Sequence, residues 1–376
     1  MPALPGETRY FGNRPQIFYR SIMKKLVLVA VLVLFVAGVS LGSYWHLAGP
    51  EKTCLKCHEI RPAHDLWARS PHRDIKCDAC HGSAISNGFH SVWENSRRLV
   101  SHYSEERQED LRLTEEQVVE AVNRCKACHE REFADWTASG HSARYSDIFL
   151  HPGHNQVELL NSDCLRCHGM FYEKTIEALV TPISIHGPWK MLDAMQGARP
   201  AIPCLACHEM HAKGGIATRP DYTNPKTIAA DRPSRLPRVS FFDRREERYF
   251  EATVLPSPRI QEGERPLVVA PDARQRVCFQ CHANVAFQRV GQGDDRTPRG
   301  VHEGLSCLAC HAMHSLDARA SCAACHPRLS NCGLDVEKMD TSFKSLESRH
   351  NIHFVACADC HPNGIPKKAE VTPTTG

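Results

Sequence analysis

Neither sign of charge is in excess in this chain: 46 Lys and Arg stand against 43 Asp and Glu, a formal net charge of +3. Cysteine and histidine are both missing from residues 212–277, which hold several of the 24 prolines. That stretch has no thiolate or imidazole to offer a metal or cofactor, so it marks a boundary between the parts on either side. The first 25 residues contain a single acid, Glu7, against Arg9, Arg14, Arg20, Lys24 and Lys25. A Cys-x-x-Cys-Lys sequence does not occur. Outside one recurring pattern the chain has one cysteine, Cys332, which lacks a partner thiol and is expected to be dispensable.

The recurring pattern is Cys-x-x-Cys-His. It occurs nine times and takes 18 of the 19 cysteines: Cys54, Cys57 and His58; Cys77, Cys80 and His81; Cys125, Cys128 and His129; Cys164, Cys167 and His168; Cys204, Cys207 and His208; Cys278, Cys281 and His282; Cys307, Cys310 and His311; Cys322, Cys325 and His326; Cys357, Cys360 and His361. A zinc half-site, a redox dithiol or a disulfide framework would need the cysteines but not a histidine directly after each second one. The pattern is the attachment signature of c-type haem. Two thiols three positions apart reach both vinyl groups of one macrocycle, and the adjacent histidine turns onto the iron. The expected cofactor is therefore nine covalently attached haem c.

Nine haems in 376 residues leave few residues for each. The macrocycles are expected to replace a conventional apolar core, as metals and disulfides do in small domains. The expected fold class is mainly α with much irregular structure, wrapped around packed haems, with low strand content. Two ionised propionates per haem move the net charge to about −15, which argues against a nucleic-acid partner and gives many Arg and Lys a propionate to hold. Covalent haem attachment places the folded part in an oxidising compartment such as the bacterial periplasm.

In chain order, residues 1–25 read as a basic cytoplasmic tail and 26–48 as a transmembrane anchor. Leu26 to Leu47 would span about 33 Å as a helix, enough for a bilayer. The basic residues before it place the N-terminus in the cytoplasm, and Tyr44 and Trp45 suit the far interface. A cleaved signal peptide, with Val36-Ala37-Gly38 as its small-residue site, is the competing reading. Residues 49–211 form a five-haem part, 212–277 a linker or folded extension, and 278–376 a four-haem part with a polar tail. In the extension, Arg238–Phe242, Arg248–Leu255 and Pro266–Ala270 have β-like runs. Thr114 to Gln117 read as a capping box, opening a helix whose Val118, Val119, Ala121 and Val122 run into Cys125.

Several stretches resemble known families. The apolar helix, the first motif just beyond it, the run Cys57-His58-Glu59-Ile60-Arg61, then Ser70-Pro71-His72 and the second motif resemble the NapC/NirT/NrfH membrane-anchored quinol dehydrogenases. Family members usually place a Met ligand two positions after the first motif's His, where this chain has Ile60. The spacing of Trp67, Ser70 and His72 recurs in Trp136, Ser139 and His141, a pattern similar to that of tetrahaem electron carriers related to hydroxylamine oxidoreductase. The C-terminal part, with His302 before and His314 after Cys307 to His311, resembles doubled-CxxCH decahaem cytochromes.

Residues 88–103 read as an interfacial amphipathic helix with Glu94, Arg97 and Arg98 beside an apolar side. The quinol dehydrogenase resemblance implies a basic residue and an acid near the quinol there. Arg97 or Arg98 is the expected quinol contact, with Glu94, Glu59 or Asp65 as proton acceptor.

Of the 23 histidines, nine close a motif and 14 remain, enough for a second axial ligand on every iron. The best distal candidates are His72, His141, His211, His302 and His314, then His350 or His353. His64, His90, His102, His151, His154 and His186 are weaker. Two axial imidazoles give a low-spin iron suited to electron transfer. The expected function is electron transfer from membrane quinol to a periplasmic redox protein or terminal reductase, from a single-pass position in the bacterial inner membrane. The alternative is an oxidoreductase of the nitrite or hydroxylamine type, with one five-coordinate haem. The intact mass of the purified protein is expected to exceed that of the polypeptide by nine haems; a mass showing fewer than eight would mean at least two unused motifs.

Overall fold

The computed structural model describes residues 14–55, 58–82, 100, 103, 113–212, 221–222, 239–282, 298–311, 313–315, 321–326, 352–356, 358 and 363–364. These are largely helical and irregular, with strands only in four two-stranded pairs.

The apolar run near the N-terminus lies in α1 (Arg14–Cys54), a helix of 41 residues. Its membrane-compatible part is Ile22–Tyr44, 23 residues of mean hydropathy 2.7, none of it buried. Leu28, Leu34 and Phe35 stand bare on its surface, a pattern that fits a lipid environment better than water. The helix continues past that span to Cys54, so the chain enters the first motif as helix.

Short helices follow: α2 (Arg61–Trp67), α3 (Cys77–His81), α4 (Glu115–Cys125), α5 (Glu130–Ala138) and α6 (Tyr145–Phe149). Gly82, at φ 74°, stops α3 directly after His81, a conformation that favours glycine. The capping box that opens α4 is present: the Gln117 backbone N–H donates to Thr114 Oγ1, and the Thr114 N–H donates to Gln117 Oε1. Val118 and Val122, one turn apart, are buried.

A conventional apolar core is present after all, between the third and fifth motifs. Tyr145, Phe149, Leu160, Leu165, Tyr172, Ile176, Leu179, Val180 and Ala201 form one buried cluster. Each fully buried large side chain there contributes roughly 1.5–3 kcal/mol. The long stretches that separate His129, Cys164 and Cys204 leave room for such a core. The pair β1 (Val180–Thr181) and β2 (Lys190–Met191) closes its edge.

The described part of the Cys- and His-free segment is folded. The hairpin of β3 (Ser240–Asp243) and β4 (Arg248–Glu251) pairs Phe241 with Phe250 and Phe242 with Tyr249. Val239, Phe241, Ala252 and Leu255 pack with Met170, Ala206 and Val277, so the hairpin sits against the neighbourhoods of the fourth, fifth and sixth motifs. Phe242 stacks on Phe171 at 4.3 Å, and the Tyr249 hydroxyl donates to the Leu205 carbonyl at 2.8 Å. The expected run at Pro266–Ala270 is instead a minimal pair, β5 (Gln261–Glu262) with β6 (Arg265–Pro266). The proline that opened the predicted run has no N–H for a ladder. Finally, β7 (Arg299–Gly300) and β8 (Phe354–Val355) pair in parallel.

One buried acid ties the first turn of α4 to the apolar core. The Tyr145 hydroxyl donates to Glu115 Oε1 at 2.5 Å, Gln196 Nε2 donates to Glu115 Oε2 at 2.7 Å, and Arg199 lies 3.6 Å away. Burial first, then the Glu115 charge, pushes the Tyr145 hydroxyl far above its usual range, so it stays a donor. Glu115→Ala is expected to leave two buried donors without an acceptor, at about 1–3 kcal/mol each, and thermal unfolding of the haem-loaded protein should show the loss.

Candidate functional site

The described motifs fold alike. In six of them the backbone N–H of the closing histidine donates to the carbonyl of the first cysteine, four residues earlier: His129, His168, His208, His282, His311 and His326 do so at 2.7–3.0 Å. Such a turn sets residues three apart on one side, which brings the two thiols of each motif to the same face.

Six histidine–histidine ring contacts lie among the described residues, and each joins one motif histidine to one histidine from elsewhere. His129 faces His72 at 6.2 Å between centroids, His81 faces His211 at 5.8 Å, and His282 faces His141 at 6.1 Å. His208 faces His314 at 5.8 Å, His326 faces His302 at 6.3 Å, and His311 faces His353 at 6.2 Å. Two imidazoles on one metal ion, each nitrogen about 2 Å from it and each ring about 1.2 Å in radius, stand about 6.4 Å apart. The arrangement therefore fits a haem iron between each pair. Ordinary ring stacking covers the same distances, but would not sort the histidines into one motif and one non-motif partner every time. The rings are close to parallel for His81/His211, His208/His314 and His311/His353, at 24°, 25° and 13°. They are crossed for His129/His72, His282/His141 and His326/His302, at 74°, 67° and 78°.

Burial first, and then a nearby imidazole, holds His72, His141 and His211 below the usual histidine range. They are neutral at neutral pH and keep a lone pair for a metal. For His302 burial again dominates. Its Nδ1 lies 3.4 Å from the Ile352 carbonyl; a carbonyl only accepts, so the proton sits on Nδ1 and Nε2 carries the lone pair. The β7–β8 pair brings the backbones beside His302 and His353 together, the Arg299 N–H donating to the His353 carbonyl.

Three of the weaker candidates make other contacts. His64 lies 5.2 Å from Trp67 with the rings tilted, His151 Nδ1 accepts from the His154 N–H, and His154 lies 3.5 Å from Glu158. His186 is exposed. Glu59 lies 3.2 Å from His58 Nε2, and Asp65 lies 3.8 Å from His64 Nδ1. Glu94, Arg97, Arg98, His90, His102, Cys57, Cys332, His350, Cys357, Cys360 and His361 lie outside the described residues. Cys54 is described only as the end of α1.

Several motif thiols are poor thiolates. Burial first, then neighbouring thiols, pushes Cys207 up to about 12; burial likewise pushes Cys125 up to about 11 and Cys307 up to about 12. Among the described residues, no group of three or more His, Cys, Asp or Glu gathers as a bare metal ion would need. A cavity of about 540 Å³ with Val119, Val122, Phe133 and Trp136 in its walls lies between α4 and α5. Trp136 Nε1 donates to the Ile202 carbonyl at 3.1 Å, which holds the approach to the fifth motif against α5.

A buried polar node between the sixth and seventh motifs was missed by the sequence reading. Asp272 Oδ1 accepts from Arg274 Nε at 2.7 Å, and its Oδ2 accepts from Ser306 Oγ at 2.7 Å and the Tyr222 hydroxyl at 3.1 Å. Gln275 Oε1 accepts from the Cys307 N–H at 3.1 Å. Its sequence signal is faint, an Asp-x-Arg-Gln run just before Cys278.

Taken with the motifs, this geometry defines a c-type cytochrome, an electron carrier with covalently bound haem c. Residues 124–182 match the family model described as cytochrome c554 and c-prime. The matched stretch holds the third and fourth motifs and the run from Trp136 to His141. No curated protein and no solved structure matches the chain. Asp272→Ala is expected to leave the Arg274 charge buried without its carboxylate, costing about 3–5 kcal/mol; a lowered melting temperature of the haem-loaded protein would show it.

Proposed function

We propose that the chain carries nine haems and passes electrons from membrane quinol to a periplasmic redox protein or terminal reductase. One observation carries this reading: the six ring contacts that each set a motif histidine against a partner from elsewhere in the chain. Haem held between two imidazoles supplies a low-spin one-electron couple with no open position for a substrate. In this reading His58, His81, His129, His168, His208, His282, His311, His326 and His361 are the motif ligands. His72, His141, His211, His302, His314 and His353 are the distal ligands of six of these irons. Desolvation holds the His72, His141 and His211 rings below the usual histidine range, and the lone pair this leaves supports the role for those three.

The membrane end of the proposal rests on α1 and on the resemblance of the N-terminal stretch to NapC/NirT/NrfH quinol dehydrogenases. The helix is long and apolar enough to span a bilayer, and the basic residues before it favour a cytoplasmic N-terminus. Arg97 or Arg98 then contacts the quinol oxygen, and Glu94, Glu59 or Asp65 takes the proton.

An optical redox titration of membranes, with a quinol analogue as the only reductant, tests the reading. Reduction of the haems is expected in the intact protein. In R97Q/R98Q it is expected to slow at least tenfold while dithionite still reduces every haem. An unchanged quinol-dependent rate with full haem content would remove the quinol assignment. Carbon monoxide binding at one haem per chain would turn the reading toward an oxidoreductase of the nitrite or hydroxylamine type.

A further inference from the structure

We propose that the haems of the second, fifth and seventh motifs form one serial electron path, with the segments His208–His211 and His311–His314 as its two joints. This rests on the axial-ligand reading above. His208 closes the fifth motif and faces His314, while His211, three residues on, faces His81 of the second motif. His311 closes the seventh motif and faces His353, while His314, three residues on, faces His208. Each segment thus carries the motif ligand of one site and the opposing ligand of another. Three residues span at most about 11 Å, so each joint makes its two sites near neighbours. Every transfer oxidises one iron from ferrous to ferric and reduces the next; no bond forms and no proton moves.

A second observation picks out the same three sites. Their ring planes are near parallel, at 24°, 25° and 13°, whereas the other three are crossed, at 67° to 78°. Parallel axial rings impose one direction on the iron's d orbitals, while crossed rings leave two of them nearly equal in energy. The two classes therefore differ in their electron paramagnetic resonance in the ferric state. The crossed sites flank the path. His72 and His302 each stand five residues before the first cysteine of a path motif, Cys77 and Cys307. The sixth motif borders both later members: Cys281 packs on the cluster that Cys207 joins, and Gln275 accepts from the Cys307 N–H.

The test uses the full haem-loaded protein. Spectra of the oxidised form should hold two low-spin envelopes, and His211→Met, His314→Met and His353→Met should each remove one haem from the parallel envelope. Methionine also raises the potential of the haem it ligates, so pairs of variants report adjacency. In H211M/H314M and in H314M/H353M, reduction of one altered haem should shift the midpoint of the other. In H211M/H353M, with the fifth site between them, the two should titrate independently. A single envelope, loss from the crossed envelope in these variants, or an outer pair that interacts as strongly as the adjacent pairs would overturn the serial order. Single variants that alter no individual haem would instead overturn the axial reading. Where a methionine variant loses a haem by mass, the lysine variant at that position takes its place, since lysine also fills an axial position.

Discussion

The architecture depends on bringing histidines from remote stretches of chain to within about 6 Å of each other, on opposite sides of a shared point. Six such meetings occur among the described residues, and three of them, His81 with His211, His141 with His282 and His208 with His314, join residues more than a hundred positions apart. Two of these three also bridge the Cys- and His-free segment. Regular secondary structure after α1 is brief by comparison, and several of its single turns present a motif. In the proposed axial reading such ligands are not preformed in an unfolded chain, and haem binding would be one process with folding. The parts before and after residues 212–277 therefore meet at two histidine pairs, His141 with His282 and His208 with His314.

How much of this could be read beforehand follows from what is local and what is not. The attachment motifs are local, set by covalent chemistry over five residues, and so was the capping box at Thr114, whose reciprocal bonds span three. His72, His141, His211, His302 and His314 stood out by their fixed distance from a motif, and each does face a motif histidine. Which motif each one faces was not legible. His211 sits three residues from His208 yet faces His81, because a ring so close in sequence to its own motif cannot swing to the far side of the same iron. The apolar cluster around Tyr145 and Leu165 was also missed. The number of haems per residue is an average over the chain, and it hides that the stretches between the third and fifth motifs are long enough to bury side chains against each other.

Two buried acids show a common device. Glu115 stands at the start of the helix that ends in Cys125, and Asp272 stands just before the helix that ends in Cys278. Each takes hydrogen bonds from side chains far away in sequence: Glu115 from Tyr145 and Gln196, Asp272 from Tyr222 and Ser306. A carboxylate accepts several such bonds at once and loses much if one donor leaves. Placed six to ten residues ahead of an attachment motif, it fixes where the motif begins relative to another part of the fold. Electron transfer falls off steeply with separation, so holding these turns in place protects rate as well as stability.

The unbroken course of α1 has a consequence for how a membrane-anchored chain would meet its donor. Ten residues of helix separate Tyr44 from Cys54, a rise of about 15 Å, and a helix, unlike a loop, neither coils up nor stretches. The first attachment site is then carried on a stalk of fixed height above the lipid. Its encounters with a lipid-dissolved donor become a search in two dimensions, governed by surface density rather than by bulk concentration. Any tilt of the stalk is passed to that site as a change of angle, so bilayer thickness becomes a determinant of how it faces the membrane.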